Sequence, residues 1–457
     1  MAELSWLKLS EFLEVELMEA RDEGKKTEGF NQKVMDIEAM EDGPRKEALA
    51  GALLDELTGL PIEAEFGYME PSDLEGIKAA RAHQELQSLL VKDGQDERGL
   101  YNKIYGAWLG RCAGCLLGQP VEGWSRSRIE TFLKGTDNFP LVRYMSSQVP
   151  EDIKRECEVS DYPGVYGNAK KGWINNVDCM PEDDDTNYTI IGLKIVEKYG
   201  IDFTPDNVAE CWLDHLPILH TCTAERVAYR NLVNLIMPPN SAGYRNPYRE
   251  WIGAQIRADF FGYIAPGNPE LSASMAFKDA SISHTKNGIY GEMFIAAMLS
   301  AAAVIDDVEK IIDTGLSVIP KASRLHNRIQ TVLEWKRAGV GQEEVINRIH
   351  KQYDEWNPHD WCHTIPNAMI VCIGLLYGGL DFGSSIGIAV MAGFDTDCNG
   401  ATVGSILGML HGANSLPDSW IKPLNNQLKS GIDGFTQVEI SELALRTMRI
   451  AQRTKNQ

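Results

Sequence analysis

Two short acidic runs carry the strongest chemical signal in this chain: Asp183-Asp184-Asp185-Thr186 and, far downstream, Asp395-Thr396-Asp397. Each sets carboxylates and a hydroxyl immediately before an apolar segment with helical spacing. Carboxylates this close repel one another, and burying them costs free energy unless a cation neutralises them. If folding brings the runs together, five carboxylates face one small volume. Hard oxygen donors of this kind suit Mg2+, Mn2+ or Ca2+ and argue against zinc or iron–sulfur chemistry. The expectation is a carboxylate-bound metal centre with two ions. One such run alone is ordinarily an N-cap with an acidic first turn. The second run weighs against that reading. It lies between the apolar IGIAVMAGF and a glycine-ridged apolar helix, with few basic residues nearby to pair it.

Other constellations are weaker. Glu122, in GQPVEGW, follows a glycine-rich helix and also reads as an ordinary exposed helix-end glutamate. His284, in DASISHTKNGIYGE, fits a hydrogen-bonded loop residue as well as it fits a ligand. His359 and His363 have helical zinc spacing, but Pro358 and Pro366 bracket them and no glutamate follows His359. Gly383-Ser384-Ser385-Ile386-Gly387 matches GxSxG, yet its neighbours read as helix and a nucleophile elbow needs a preceding strand. Cys112 and Cys115 form a CxxC with no second pair, so they read as small packing residues. No Walker A loop or dinucleotide fingerprint is present.

The elements that must position these groups read as helices. Gly106, Gly110, Gly114 and Gly118 recur every four residues, and Gly400, Gly404, Gly408 and Gly412 do the same. Glycine inside a helix costs about 1 kcal/mol against alanine, so such rows call for a packing reason. Spacing by four puts each row on one face, where two backbones can approach closely. Arg111 and the short apolar length exclude a membrane dimer. The second of these helices would carry Asp395 and Asp397 to the centre at its N-terminus. Further helical patterns cover 186–200, 291–306, 308–319, 328–339 and 365–379, and no run shows sustained β alternation. The chain is therefore expected to be all-α, with long connections at 135–182, 236–250 and 352–364 that belong to a site.

Residues 1–98 are acidic and Leu/Ala-rich, with helical spacing as far as 90. They read as an α-helical extension that covers a main body of 99–457 without carrying chemistry, and VKDGQDERG at 91–99 reads as a linker. With 65 acidic and 44 basic residues among 457, the net charge of −21 disfavours nucleic acid or an anionic membrane as partner. No apolar stretch is long enough to span a bilayer, and the first residues lack the features of a signal peptide. Nine cysteines without a disulfide framework fit a reduced, cytoplasmic protein.

Four segments in order, GAWLGRCAGCLLGQPVEGW, EDDDTNYTIIGL, ISHTKNGIYGE and GFDTDCNGATVGSILGMLHG, resemble the ADP-ribosylglycohydrolase family. That family includes dinitrogenase-reductase-activating glycohydrolases and ADP-ribosyl-acceptor hydrolases. The resemblance runs from Tyr101 to the LPDSW at 416–420. It implies a compact orthogonal all-α bundle with a binuclear Mg2+ or Mn2+ centre in a cleft. Asp183, Asp184, Asp185 and Thr186 match the family's first metal-binding run, and Asp395 and Asp397 match its second. Glu122 falls on the family's glutamate near the metals and substrate. Cys398 stands where a metal-binding Thr is usual, Asp183 where Thr is frequent, and Cys115 in place of an Asp.

The activity implied is hydrolysis of the glycosidic bond of an ADP-ribosyl group, carried by a protein side chain or a small conjugate. Asp184 or Asp185 is then expected to deprotonate the attacking water, with Glu122 orienting substrate or assisting proton transfer. His284, Trp361 and His363 are expected to contact the adenosine or diphosphate part. Two alternatives stay open. One is an N-glycosidase acting on a free nucleoside or nucleotide-like metabolite; the other is a metal-retaining binding protein that has lost catalysis.

Overall fold

The two glycine-ridged segments fold as long helices, Glu97–Gly118 and Thr396–His411, that run antiparallel and press face to face. A methyl group added at Gly106, Gly110 or Gly114 would run into the carbonyl oxygens of Gly408, Gly404 or Gly400, and the reverse also holds. Only hydrogen in place of a side chain allows this approach. The register sets Gly118 against Thr396, whose Oγ1 donates to the Gly118 carbonyl at 2.9 Å. The end of the first helix, and Glu122 just beyond it, is thereby brought to the start of the second. Gly412 has a different job from its row. It ends the second helix at φ 77°.

In this computed structural model, which describes residues 5–82 and 97–455, nearly every expected helical pattern forms a helix. Asp184–Tyr199, Lys286–Ala302, Thr364–Tyr377 and Phe382–Met391 pack around the central pair and are mostly buried. The fold is all-α, a compact helical bundle. Gly383–Gly387 lies inside Phe382–Met391, so no nucleophile elbow exists there. Cys112 and Cys115 are buried mid-helix, and all nine cysteines are free. Among the described residues the named strands are Gln427–Lys429 and Gln437–Glu439, an antiparallel ribbon too short to show alternation in sequence.

Ahead of the first glycine helix, residues 5–82 form the α-helices Leu13–Asp22, Phe30–Glu38, Pro44–Thr58 and Leu74–Ala80. The last helical pattern, expected up to 90, forms a helix over Leu74–Ala80, while its part at 83–90 and most of the linker at 91–99 lie outside the described residues. Buried ion pairs fasten this segment to the body. Arg249 meets Glu16 at 2.6 Å and Glu23 at 3.0 Å, while Arg324 joins Glu70 at 2.8 Å and Glu250 at 2.6 Å.

Candidate metal centre

Asp183 is the N-cap of Asp184–Tyr199. Its Oδ1 accepts from the Asp185 amide at 3.0 Å, and its Oδ2 accepts from Gln119 Nε2 at 2.8 Å. Thr186 Oγ1 donates to the Asp183 carbonyl at 3.1 Å. Asp185 turns inward, where Arg111 Nη2 donates to its Oδ1 at 2.9 Å and to its backbone carbonyl at 2.7 Å. Arg111 projects from the first glycine helix and also pairs with Asp259 at 3.0 Å. The second run arrives through a tight bend in which Gly393 and Phe394 have φ of 78° and 57°. A left-handed Phe is costly, and here burial and a ring contact with His350 at 4.9 Å hold it. Asp395 follows at an N-cap position, yet its carboxylate makes no capping bond.

The two runs meet. Carboxylate oxygens of Asp183, Asp185 and Asp397 lie within 4.8 Å of one another and of the Cys115 sulfur, and Asp395, Asp397 and Cys398 form an overlapping group of the same span. Asp185 Oδ2, Asp395 Oδ1 and Asp397 Oδ1 are buried without a hydrogen-bond partner. Burial, followed by neighbouring carboxylates, pushes Asp184 well above the usual carboxylate range; the same causes act on Asp397, with Glu122 the leading neighbour. Asp185 is also driven well up by burial, against the pull of Arg111. Glu122 is open at its surface but set down in the cleft, and burial and Asp395 push it up to about 8. For Asp184, Asp185, Asp397 and Glu122 these shifts favour the protonated form, and a divalent cation would reverse that balance. Burial and the carboxylates drive the Cys115 and Cys398 thiols well above their usual range, so both stay neutral and offer a hard ion little. The donor set fits a hard divalent cation.

Glu122, Asp184, Asp395 and Asp397 open onto a cavity of about 320 Å³, near the small end for ligand sites. Its walls include Trp6, Tyr166, Tyr248, Trp251 and Trp361. Among the described residues, no Lys or Arg lines it. Trp6, Tyr166 and Thr223, all on the lining, have φ of 60°, 49° and 21°. Backbone strain of this kind gathers at functional sites.

Of the other residues singled out in the sequence, Trp361 lines the cavity and its Nε1 has no partner. His284 does not line it. That ring is fully buried with Nδ1 at 2.8 Å from Ser283 Oγ and Nε2 at 3.9 Å from Glu225, and burial and Arg257 keep it neutral. His363 is likewise sealed in, its pKa pushed down to about 3 by burial and His359. With His359 and Glu19 it forms a second compact donor group. Hydrogen bonding decides against a metal there. His363 Nδ1 accepts from the Ile365 amide and His359 Nδ1 from Trp251 Nε1, both at 3.1 Å, so each neutral ring carries its proton on Nε2. The His359 proton goes to Asp22 at 3.1 Å. Neither ring offers Nε2 a free lone pair.

The sequence did not point to several cavity residues. Tyr166 and Tyr248 sit in two of the long connections, where length was the available signal. Trp6 and Val15 come from the extension, which was expected only to cover the body. The family model for ADP-ribosylglycohydrolase matches residues 96–456. The chain belongs to the ADP-ribosylglycohydrolase family. The match leaves the N-terminal extension outside, and family membership supports a glycohydrolase function in general terms. A solved structure described as an ADP-ribosylglycohydrolase-related protein complex is similar over 78% of this chain and 99% of that chain, at 20% identity and TM-score 0.49. No curated protein matches the chain. No helix among the described residues is long and apolar enough to cross a membrane.

Proposed function

We propose that the protein is a metal-dependent glycosidase that hydrolyses the bond at the anomeric carbon of an ADP-ribosyl group, with 99–457 as its catalytic domain. The observation that carries this reading is the meeting of two acidic runs at the floor of an aromatic cavity, with three buried carboxylate oxygens left unpartnered. Asp183, Asp184, Asp185, Thr186, Asp395 and Asp397 would hold two Mg2+ or Mn2+ ions, which supply Lewis acidity and a template for ribose hydroxyls. Asp184 and Glu122 face the cavity, so these carboxylates are free to take a proton from the attacking water and to return one to the leaving group. Asp185, tied to Arg111, serves as a ligand and not as the base. As the aglycone departs, positive charge builds at the anomeric carbon and the carboxylate floor stabilises it. The aromatic walls offer stacking faces for adenine.

A second reading has its own support. Without a lining Lys or Arg, a diphosphate must rely on backbone N–H groups and the ions, so the cavity also suits an N-glycosidase on a phosphate-free nucleoside. The test is release of ADP-ribose from ADP-ribosyl-arginine, ADP-ribosyl-serine and O-acetyl-ADP-ribose, beside release of base from adenosine, with and without Mg2+ or Mn2+. Metal-dependent ADP-ribose release that is lost in Asp397→Asn supports the first reading. Base release alone transfers the assignment to the second. Stoichiometric metal with no turnover leaves only a binding role.

A further inference from the structure

The extension precedes the family-matched region, yet it builds part of the cavity wall through Trp6 and Val15. Two features mark this wall as permanent. Arg249, buried in the body, is neutralised by Glu16 of the helix that carries Val15 and by Glu23 at its C-cap, so lifting that helix away would strand a buried charge. Trp6 is fixed as well. Its ring lies 4.6 Å from the Arg226 guanidinium, which also donates to the Ser5 carbonyl at 3.3 Å and to the Thr221 carbonyl. The left-handed backbone of Trp6 (φ 60°) is disfavoured for a bulky side chain and persists because these contacts determine it. A half-buried indole is thus held in the wall of a small cavity whose other aromatic residues belong to the body.

We propose that the extension adapts this site to small, free glycosides, with Trp6 packing against the substrate, and bars glycosyl groups attached to a folded polypeptide. The proposal rests on the glycosidase reading above. A glycosyl group on a protein drags a rigid surface up against the cavity, part of whose wall the extension supplies. A small conjugate brings no such surface.

The test uses the full-length protein with saturating Mg2+ and two substrates sharing one bond, free ADP-ribosyl-arginine and a folded protein ADP-ribosylated on arginine. The expected result is kcat/KM about a hundredfold higher for the free conjugate. Trp6→Ala is expected to lower kcat/KM on that conjugate roughly tenfold, and Trp6→Phe to restore most of it. Equal rates on both substrates, or a Trp6→Ala variant that matches wild type, would overturn the proposal. If neither arginine-linked substrate is cleaved, the glycosidase reading is judged separately on the full substrate panel above, and calorimetric binding of ADP-ribosyl-arginine decides the wall. Tenfold weaker binding in Trp6→Ala upholds it, and unchanged binding refutes it.

Discussion

Of the buried acidic clusters in this molecule, two balance their charge in different ways. Where the extension docks, Glu16, Glu23, Glu70 and Glu250 meet the guanidiniums of Arg249 and Arg324, with Lys25 at 2.7 Å and Lys286 at 2.9 Å from Glu23. Glu19 lies among them with neither oxygen hydrogen-bonded and Arg249 Nε 3.7 Å away, and burial and Glu250 push its pKa well up. None of these groups lines the cavity. Among the described residues, the one ion pair around Asp183–Asp185 and Asp395–Asp397 is with Arg111, which Asp259 shares. That second cluster opens onto the cavity. Crowded carboxylates alone do not mark a metal site; a shortage of cations together with an open path does.

The largest effect expected from this contrast is on catalysis. Asp397→Asn should cut turnover about ten-thousandfold, some 5 kcal/mol of transition-state stabilisation, and reduce or abolish the rise in Tm on adding Mg2+. Steady-state rates and melting curves with and without Mg2+ check both. Next is Arg249→Met in the balanced cluster, which leaves three glutamates facing one another and should cost about 3–5 kcal/mol in urea unfolding. Metal uptake by the folded fraction of that variant should be unchanged. A smaller effect separates the clusters by pH. Carboxylates whose pKa is raised in the folded protein bind protons that a cation must displace, so Mg2+ affinity should fall as pH drops from 8 to 5, on the order of tenfold per unit for each proton displaced. Calorimetric titrations at several pH values measure the slope. The smallest effect is Glu19→Gln. A carboxyl with a raised folded pKa loses stability as pH climbs from its unfolded value through its folded one, so the variant should be more stable than wild type at pH 8, by about 1 kcal/mol or less, with the gain gone near pH 4.

What was legible in the sequence was whatever repeats locally. The glycine rows declared a helix pair because period four survives without knowledge of the partner, and the acidic runs declared themselves by crowding. Contacts between distant segments left no such trace. Glu16 and Glu19 look like solvated positions on an amphipathic helix, and only Arg249, more than two hundred residues on, shows why they are buried. His284 stands in a polar stretch that reads as cleft-facing, yet Ser283 and Glu225 enclose it. Trp6 carried no signal, since its place depends on Arg226.

The account turns on whether carboxylates from both acidic runs jointly hold divalent cations, and a Mn2+ titration of the full-length protein followed by calorimetry tests this most directly. Two ions per chain are expected in wild type and in Glu19→Gln, with binding lost or halved in Asp397→Asn. A wild type that takes up no Mn2+, or uptake that survives Asp397→Asn but disappears in Glu19→Gln, would contradict it.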